Sequence, residues 1–267
     1  MRRFLIHLDG GPNDAQSLAC ALQFCRRLDG RLSVAHTRQP AMIVPAALEG
    51  VTSVIDNTAG SATAAAAARQ AFETVCGSQP FASYADVDPD ADTETDAHGW
   101  LHDVTVLERL GSEEGAEVAD FNAALFDTGG LVLVVPPRPV ETVGETVAVH
   151  WTPSPQSARA LRSALPLLRT AKRVIVLTNA DNPEADPEAV AAYLDCHGIP
   201  CESRRFRTHT LTARGRGRAL LEALKASGAD TLVMGAFGES RLAAMLGLGR
   251  ATAKVVTACP VPLLIQA

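Results

Sequence analysis

The sequence predicts an α/β fold in which one open parallel sheet occurs twice. Three observations carry the prediction. An apolar run, an amphipathic helix and a second apolar run follow one another from Phe4 to Ala35. A gapless copy of its part from Phe4 to Cys25 begins at Val147. Between Ala229 and Val256 a strand, a glycine turn and a helix succeed one another. Parallel neighbours cannot be joined by a tight hairpin, so each pair needs a right-handed crossover, which a helix supplies.

Taken in order, Phe4 to Leu8 is a strand ended by Asp9, Gly10, Gly11 and Pro12. From Asp14 the apolar residues Leu18, Ala21, Leu22, Cys25 and Leu28 fall at helical spacing, and Asp29-Gly30 stops the helix before the run Leu32 to Ala35. The alanine-rich stretch Ala59 to Cys76 has high helix propensity and predicts a long second helix. Asp86 to Asp96 is acidic and superficially like a calcium loop. It lacks the glycine at the sixth position and the glutamate at the twelfth, so it reads as a solvated loop without metal. Asp103 to Leu107 and Leu131 to Val135 are the remaining apolar strands of the first half.

The second half repeats this order. His7 aligns with His150, Asp9 with Thr152, Pro12 with Pro155, Ala15 with Ala158 and Leu18 with Leu161, all without a gap. Arg173 to Leu177 answers Arg31 to Ala35, Asp230 to Met234 answers Asp103 to Leu107, and Val261 to Ile265 answers Leu131 to Val135. The chain is an internal duplication. Its halves, 1–137 and 146–267, meet at a proline-containing polar linker near Pro136 to Glu145. Bare edges at the two equivalent terminal strands would invite aggregation, so these strands are expected at the interface between halves, pairing antiparallel.

In the second half, Pro187 to His197 reads as a helix stopped by Gly198. The arginine-rich stretch Arg204 to Arg218 leads into a helix at Ala219 to Lys225 and offers a cationic rim to the sheet edge. Asp230 opens the strand Thr231 to Met234, Gly235 and Gly238 bracket a turn, and Leu242, Met245 and Leu246 fall on a helix. This arrangement aims backbone N–H groups at the C-terminal edge of the sheet, where phosphate-bearing ligands are commonly held.

The glycine stretch resembles the phosphate-binding loop of the universal stress protein family. That loop reads Gly, two residues, Gly, nine residues, then Gly followed by Ser or Thr. Gly235, Ala236, Phe237 and Gly238 match its opening, and Gly249, Arg250, Ala251 and Thr252 resemble its close. Ten residues separate Gly238 from Gly249 here, and Arg250 stands where the family's nucleotide binders carry a small hydroxyl residue. The resemblance covers nearly the whole chain and implies a tandem protein with a degenerate first half. Each half is then a Rossmann-like open parallel five-stranded sheet with helices on both faces, and the pair forms an internal pseudo-dimer. It implies ATP or another adenine nucleotide as the ligand, held by Thr152, Gly235, Gly238, Gly249, Arg250 and Thr252. It leaves Asp9 and Gly10 as a vestigial first-half site: Asp9 matches the family's acid after the first strand, but Glu108 and Gly111 stand in place of Gly235 and Gly238, followed by Glu113-Glu114.

Function classes narrow accordingly. The resemblance implies stress-related ligand sensing or adaptor work; the competing class is a slow ATPase or another adenine-nucleotide hydrolase-like enzyme. No serine nucleophile elbow or Cys–His arrangement is readable, and His7 and His150 read as core-edge histidines repeated by the duplication, so no catalytic residue is assigned. Six cysteines without a Cys-x-x-Cys pair read as small buried hydrophobes, and no metal is expected. The chain has 267 residues, 47% of them hydrophobic and 20% charged, with net charge −6; nucleic acid is not an expected partner, because phosphate neutralisation needs a concentrated basic surface. Asp9 and Gly10 interrupt the N-terminal apolar residues, so neither a signal-peptide core nor a membrane span is expected, and a cytoplasmic location is the default. The remaining expected partners are a small-molecule ligand and further copies of the same chain.

Overall fold

The computed structural model describes residues 1–37, 42–45, 52–55, 58–87, 99–111, 116–208, 212–236 and 250–267. The first half runs β1 (Arg3–Leu8), α1 (Asp14–Leu28), β2 (Arg31–Thr37), β3 (Met42–Pro45), β4 (Thr52–Ile55), α2 (Thr58–Cys76), β5 (Ala82–Val87), β6 (Val104–Glu108), α3 (Ala116–Asp127) and β7 (Leu131–Val135). The second runs β8 (Thr146–Trp151), α4 (Pro155–Leu168), β9 (Arg173–Asn179), α5 (Pro187–Asp195), β10 (Glu202–Phe206), α6 (Ala213–Ser227), β11 (Thr231–Gly235), α7 (Arg250–Ala258) and β12 (Leu263–Gln266).

Ten of the strands form one sheet in the order β10-β9-β8-β11-β12-β7-β6-β1-β2-β5, and β3 pairs with β4 in a separate antiparallel hairpin. Within each set of five the pairing is parallel. The two sets are therefore copies of one topology, joined where β12 meets β7 antiparallel with Leu264 opposite Leu133. The terminal strands thus pair as the edge argument requires. Every residue of β7 and β12 is buried, which fits strands in the middle of a sheet covered on both faces.

The faces follow from the alternation of side chains along each strand. Phe4, Ile6 and Leu8 of β1 and Val147 and Val149 of β8 share one core layer with α1 (Leu18, Leu22, Cys25), α2 (Ala68), α4 (Leu161, Leu167) and α5 (Val190, Leu194). Ala148, Ile175, Leu177 and Met234 share the other with α3 (Phe121, Leu125), α6 (Leu220, Leu224) and α7 (Val255, Val256). Both layers contain residues of both halves.

Equivalent carboxylates fasten the first strand of each half. Asp103 Oδ2 accepts from the Arg2 and Arg3 amides at 2.6 and 3.0 Å, and Asp230 Oδ2 accepts from the Glu145 and Thr146 amides at 3.0 and 3.2 Å. The linker is strapped down as well. Gln16 Nε2 donates to the Arg138 carbonyl, Gln23 Nε2 donates to the Val140 carbonyl at 2.9 Å, and Val143 is buried.

Several expectations shift by physical causes. The equivalence of the last strands moves by one residue, so that Leu131 answers Pro262. Leu131 donates its amide to the Asp103 carbonyl, whereas Pro262 has no amide to donate, and the second-half strand starts one residue later. Asp86 and Val87 close β5 instead of opening the acidic loop; Asp86 accepts from Arg69 and Tyr84. Residues 202–206 form the edge strand β10, and α6 begins at Ala213, six residues ahead of Ala219. The helix expected through Leu242, Met245 and Leu246 and the Glu113-Glu114 pair lie outside the described residues. No described helix is long and apolar enough to cross a membrane.

Candidate ligand cavity in the second half

The C-terminal ends of β8, β9, β10 and β11 open into a cavity of about 380 Å³. The sheet supplies its floor through His150, Asn179, Phe206 and Met234. These residues lie on the same sheet face because each falls on the alternate position that Ala148, Ile175 and Leu177 occupy deeper in the core. Arg216, Gly217 and Leu220 of α6 form one wall with Ala251, Thr252 and Val255 of α7, and the opposite rim is Thr152, Ser154 and Gln156 at the start of α4.

Two glycines allow this wall and rim to come so near. A Cβ on Gly217 would stand 2.7 Å from the Ala251 carbonyl oxygen, so α6 and α7 meet at that point with no room for a side chain. A Cβ on Gly235 would stand 2.6 Å from the Gln156 carbonyl carbon, so the end of β11 touches the first turn of α4. Ser154 caps α4, its Oγ accepting from the Ser157 amide at 3.2 Å, with Pro155 in the first turn. Thr152 Oγ1 lies 2.9 Å from Ser157 Oγ and 3.3 Å from Ser154 Oγ, which ties it into the cap. Asp181 holds the mouth by accepting from the Thr208 amide and hydroxyl at 2.7 and 2.8 Å.

The electrostatics of the lining are one-sided. Among the described residues it contains no Asp or Glu, and Arg216 is its one Lys or Arg. Burial pushes the His150 imidazole down to about 4, so it is neutral at pH 7 with one donor and one acceptor nitrogen. Its ring lies 6.0 Å from that of Phe206. The first turns of α4, α6 and α7 border the cavity, and the dipoles of these helices favour negative charge there. Gln156 Oε1 is buried beside it without a hydrogen-bond partner.

The structure brings Thr152, Gly235 and Thr252 of the sequence-derived site to this cavity. Arg250 begins α7, and Gly238 and Gly249 lie outside the described residues. Of the arginine-rich segment, Arg216 lines the cavity, while on the edge strand Arg204 pairs with Glu202 and Arg205 with Glu188. His150, Phe206, Asn179 and Arg216 were missed as a group. Arg216 falls in the arginine-rich stretch already read as a cationic rim, whereas His150 and Asn179 are signalled only as polar residues near the ends of apolar runs.

The equivalent first-half position is filled from within. Glu108, the counterpart of Gly235, receives hydrogen bonds from Asn13 Nδ2 at 3.1 Å and Ser17 Oγ at 3.5 Å. Asp9 Oδ1 accepts from the Gly11 amide at 2.7 Å, and Gly10, at φ +80°, donates to Asp14 Oδ2 at 3.0 Å. A Cβ on Gly10 would meet the Ala64 Cα at 2.6 Å, so the α2 backbone covers this turn. Burial first, then the Asp9 charge, push the Asp14 carboxyl up to about 6.

One comparison bears on the second half. Residues 203–266 match the Universal stress protein family. The universal stress protein match takes in β10, α6, β11, α7 and β12, the elements that contribute Phe206, the α6–α7 wall and Gly235. The whole chain is similar in structure to a universal stress protein from Archaeoglobus fulgidus DSM 4304, with TM-score 0.71 and 14% identity, covering 99% of this chain and 95% of that one. It is also similar to a functionally unknown protein from Pseudomonas aeruginosa PAO1, with TM-score 0.58 and 13% identity, covering 100% and 92%. At such identities the likeness shows the fold. No curated protein matches the sequence.

Proposed function

We propose that the protein is a stress-related sensor or adaptor that binds an adenine nucleotide in the second-half cavity. In this reading 1–137 and 146–267 are the two domains of an internal pseudo-dimer, and the first domain has given up its own site. The observation that carries the proposal is the cavity at the C-terminal sheet edge, with no acid among its described lining residues, where Gly235 and Ala236 bring backbone beside the start of α4. Thr152, Gly235 and Thr252 border the ligand, and by the family resemblance Gly238, Gly249 and Arg250 complete its phosphate loop. The domains contribute differently. Glu108, Asp9 and Asp14 surround the first-half turn with carboxylates that would repel a phosphate.

The neutral His150 and the lack of a carboxylate among the described lining residues favour binding over turnover. The test is to isolate the protein natively, denature it and identify released small molecules by mass spectrometry, with calorimetry and phosphate release run on ATP in parallel. A stoichiometric adenine nucleotide and saturable binding without phosphate release are expected. Absence of any adenine compound together with no saturable binding overturns the proposal, and steady phosphate release replaces it with the enzyme reading.

A further inference from the structure

We infer that Gln156 reads the base in the second-half cavity: its carboxamide, left unpaired at the rim, hydrogen-bonds the amino-bearing edge of adenine. The inference rests on the adenine-nucleotide reading and adds to it the residue that recognises the base.

Most polar side chains around the rim are already engaged. Thr152, Ser154 and Ser157 satisfy one another in the cap of α4, with Thr152 Oγ1 2.9 Å from Ser157 Oγ and Ser154 Oγ accepting from the Ser157 amide at 3.2 Å. The other carboxamides of the described lining hold turns: Asn179 Oδ1 accepts from the Asp181 amide at 3.0 Å, and Asn182 Oδ1 from the Glu184 amide at 3.1 Å. Gln156 has no such task. Its Oε1 is buried without a partner, and among the described residues no other side chain lining the cavity has a buried polar atom in that state. An unpaired buried acceptor costs stability and does nothing for the unliganded fold, as is expected of a group that a ligand completes.

The backbone beneath this carboxamide is fixed, while its end is free to turn. Gln156 is the second residue of α4, and a Cβ on Gly235 would stand 2.6 Å from its carbonyl carbon, so the end of β11 holds it in place. The terminal torsion of a glutamine is broad, so the amide plane brings its oxygen round to the cavity at little cost. No Asp or Glu among the described lining residues competes for an N–H donor there.

A carboxamide carries an acceptor and a donor side by side in one plane. Its complement is an edge with an N–H donor next to a ring nitrogen acceptor, which is the pattern of adenine's amino group and the nitrogen beside it, and such two-bond pairs discriminate between bases. Leu220, Met234 and Val255 supply apolar lining for the ring itself. A purine without the amino group would leave Oε1 unpaired, and the site disfavours it for that reason.

The experiment titrates AMP, GMP and purine riboside monophosphate, which lacks the amino group, into the wild-type chain and Gln156→Met by calorimetry. Methionine keeps the length of the side chain and removes both hydrogen-bonding groups; thermal unfolding follows the two unliganded proteins. The variant is expected to weaken AMP by roughly tenfold and the purine riboside compound by no more than about twofold, bringing the two ligands to similar affinity. It is also expected to melt no lower than wild type, because the unpaired oxygen is gone. Equal weakening of both ligands, unchanged AMP binding or a lower melting temperature overturns the assignment and leaves the nucleotide reading in place. GMP binding that the variant abolishes, with AMP failing to bind wild type, would remove the adenine reading and keep Gln156 as the reader of a base N–H donor. Failure of all three to bind wild type overturns the assignment, while the nucleotide reading stands or falls separately on ATP.

Discussion

Gly235 and Ser157 lie backbone against backbone: a Cβ built on Gly235 would stand 2.9 Å from the Ser157 Cα, with the Gln156 carbonyl carbon nearer still. The end of β11 and the first turn of α4 are thus locked at the rim of the cavity. The neighbours are main-chain atoms, which cannot swing aside as a flexible side chain would. Gly235→Ala is expected to cost about 1–3 kcal/mol of stability and to weaken ligand binding, measured by urea unfolding and calorimetry. Wild-type values for both would show that α4 is free to retreat.

The glycine loop gives a second prediction, conditional on the nucleotide proposal. Gly238→Ala is expected to abolish ATP binding, and Thr152→Asp combined with Arg250→Ser to strengthen it, because the pair restores an acid for the nucleoside and a small hydroxyl at the loop's close. Calorimetry on the three proteins checks this. Unchanged binding in Gly238→Ala would move the site elsewhere.

Asp14 sets a pH dependence whose sign can be worked out. Its carboxyl is raised from 3.8 to about 6 by burial and by the Asp9 charge, so the folded chain binds the proton more tightly than the unfolded chain. The stabilising contribution is fully present below about pH 4 and is lost as pH rises towards 6. Asp14→Asn is therefore expected to be more stable than wild type by about 2 kcal/mol at pH 7–8, with the two curves converging below pH 4. Denaturant midpoints across this range test it, and a gap of the same size at pH 3.5 would contradict it.

Asp103 acts in the opposite sense. Burial would raise its carboxyl, but the Arg2 and Arg3 amides and the N-terminal ammonium outweigh this and hold it below 3.8. Its contribution is present above pH 3.8 and lost as pH falls through the folded value. The side chain is half exposed, so water offsets much of the gain, and Asp103→Ala is expected to cost about 1 kcal/mol at pH 7. Asp230→Ala should loosen the start of β8 through the same contacts, read by hydrogen exchange at Thr146.

Thiol reactivity separates into classes. Burial pushes Cys20 and Cys25 up to about 12 and Cys76 and Cys259 up to about 11, and it raises Cys201 as well. Cys196, at the exposed end of α5, departs from the expectation of uniform burial. Native labelling is expected to modify Cys196 quickly, Cys201 slowly, and the other four only on denaturation. Fast labelling of Cys20 or Cys25 would show that α1 opens readily.

The sequence revealed what is apolar and periodic. The runs at β1, β7 and β11 and the helical spacing of α1 are visible because burial on both faces of a sheet, or on one side of a helix, demands them. The edge strands β5 and β10 were not readable: ASYADV and ESRRF carry polar residues where one side of the ladder meets water. The early start of α6 was hidden by Gly215 and Gly217, poor helix formers, the second of which is required by the approach of α7. At the site, Gly235 could be found because a turn has local spacing. Phe206, His150, Asn179 and Arg216 come from three strands and a helix, and only the fold assembles them.

The antiparallel junction of β7 with β12 has a consequence for how the chain comes apart. Leu133 and Leu264 face each other across it, and both core layers run through it without a break. Parting the halves would bare a row of strand amides on each side together with the apolar residues beneath them, so neither half can melt as a private event. Heating should give one calorimetric transition whose van't Hoff and total enthalpies agree, and a ligand held only in the second half should raise the melting point of the first.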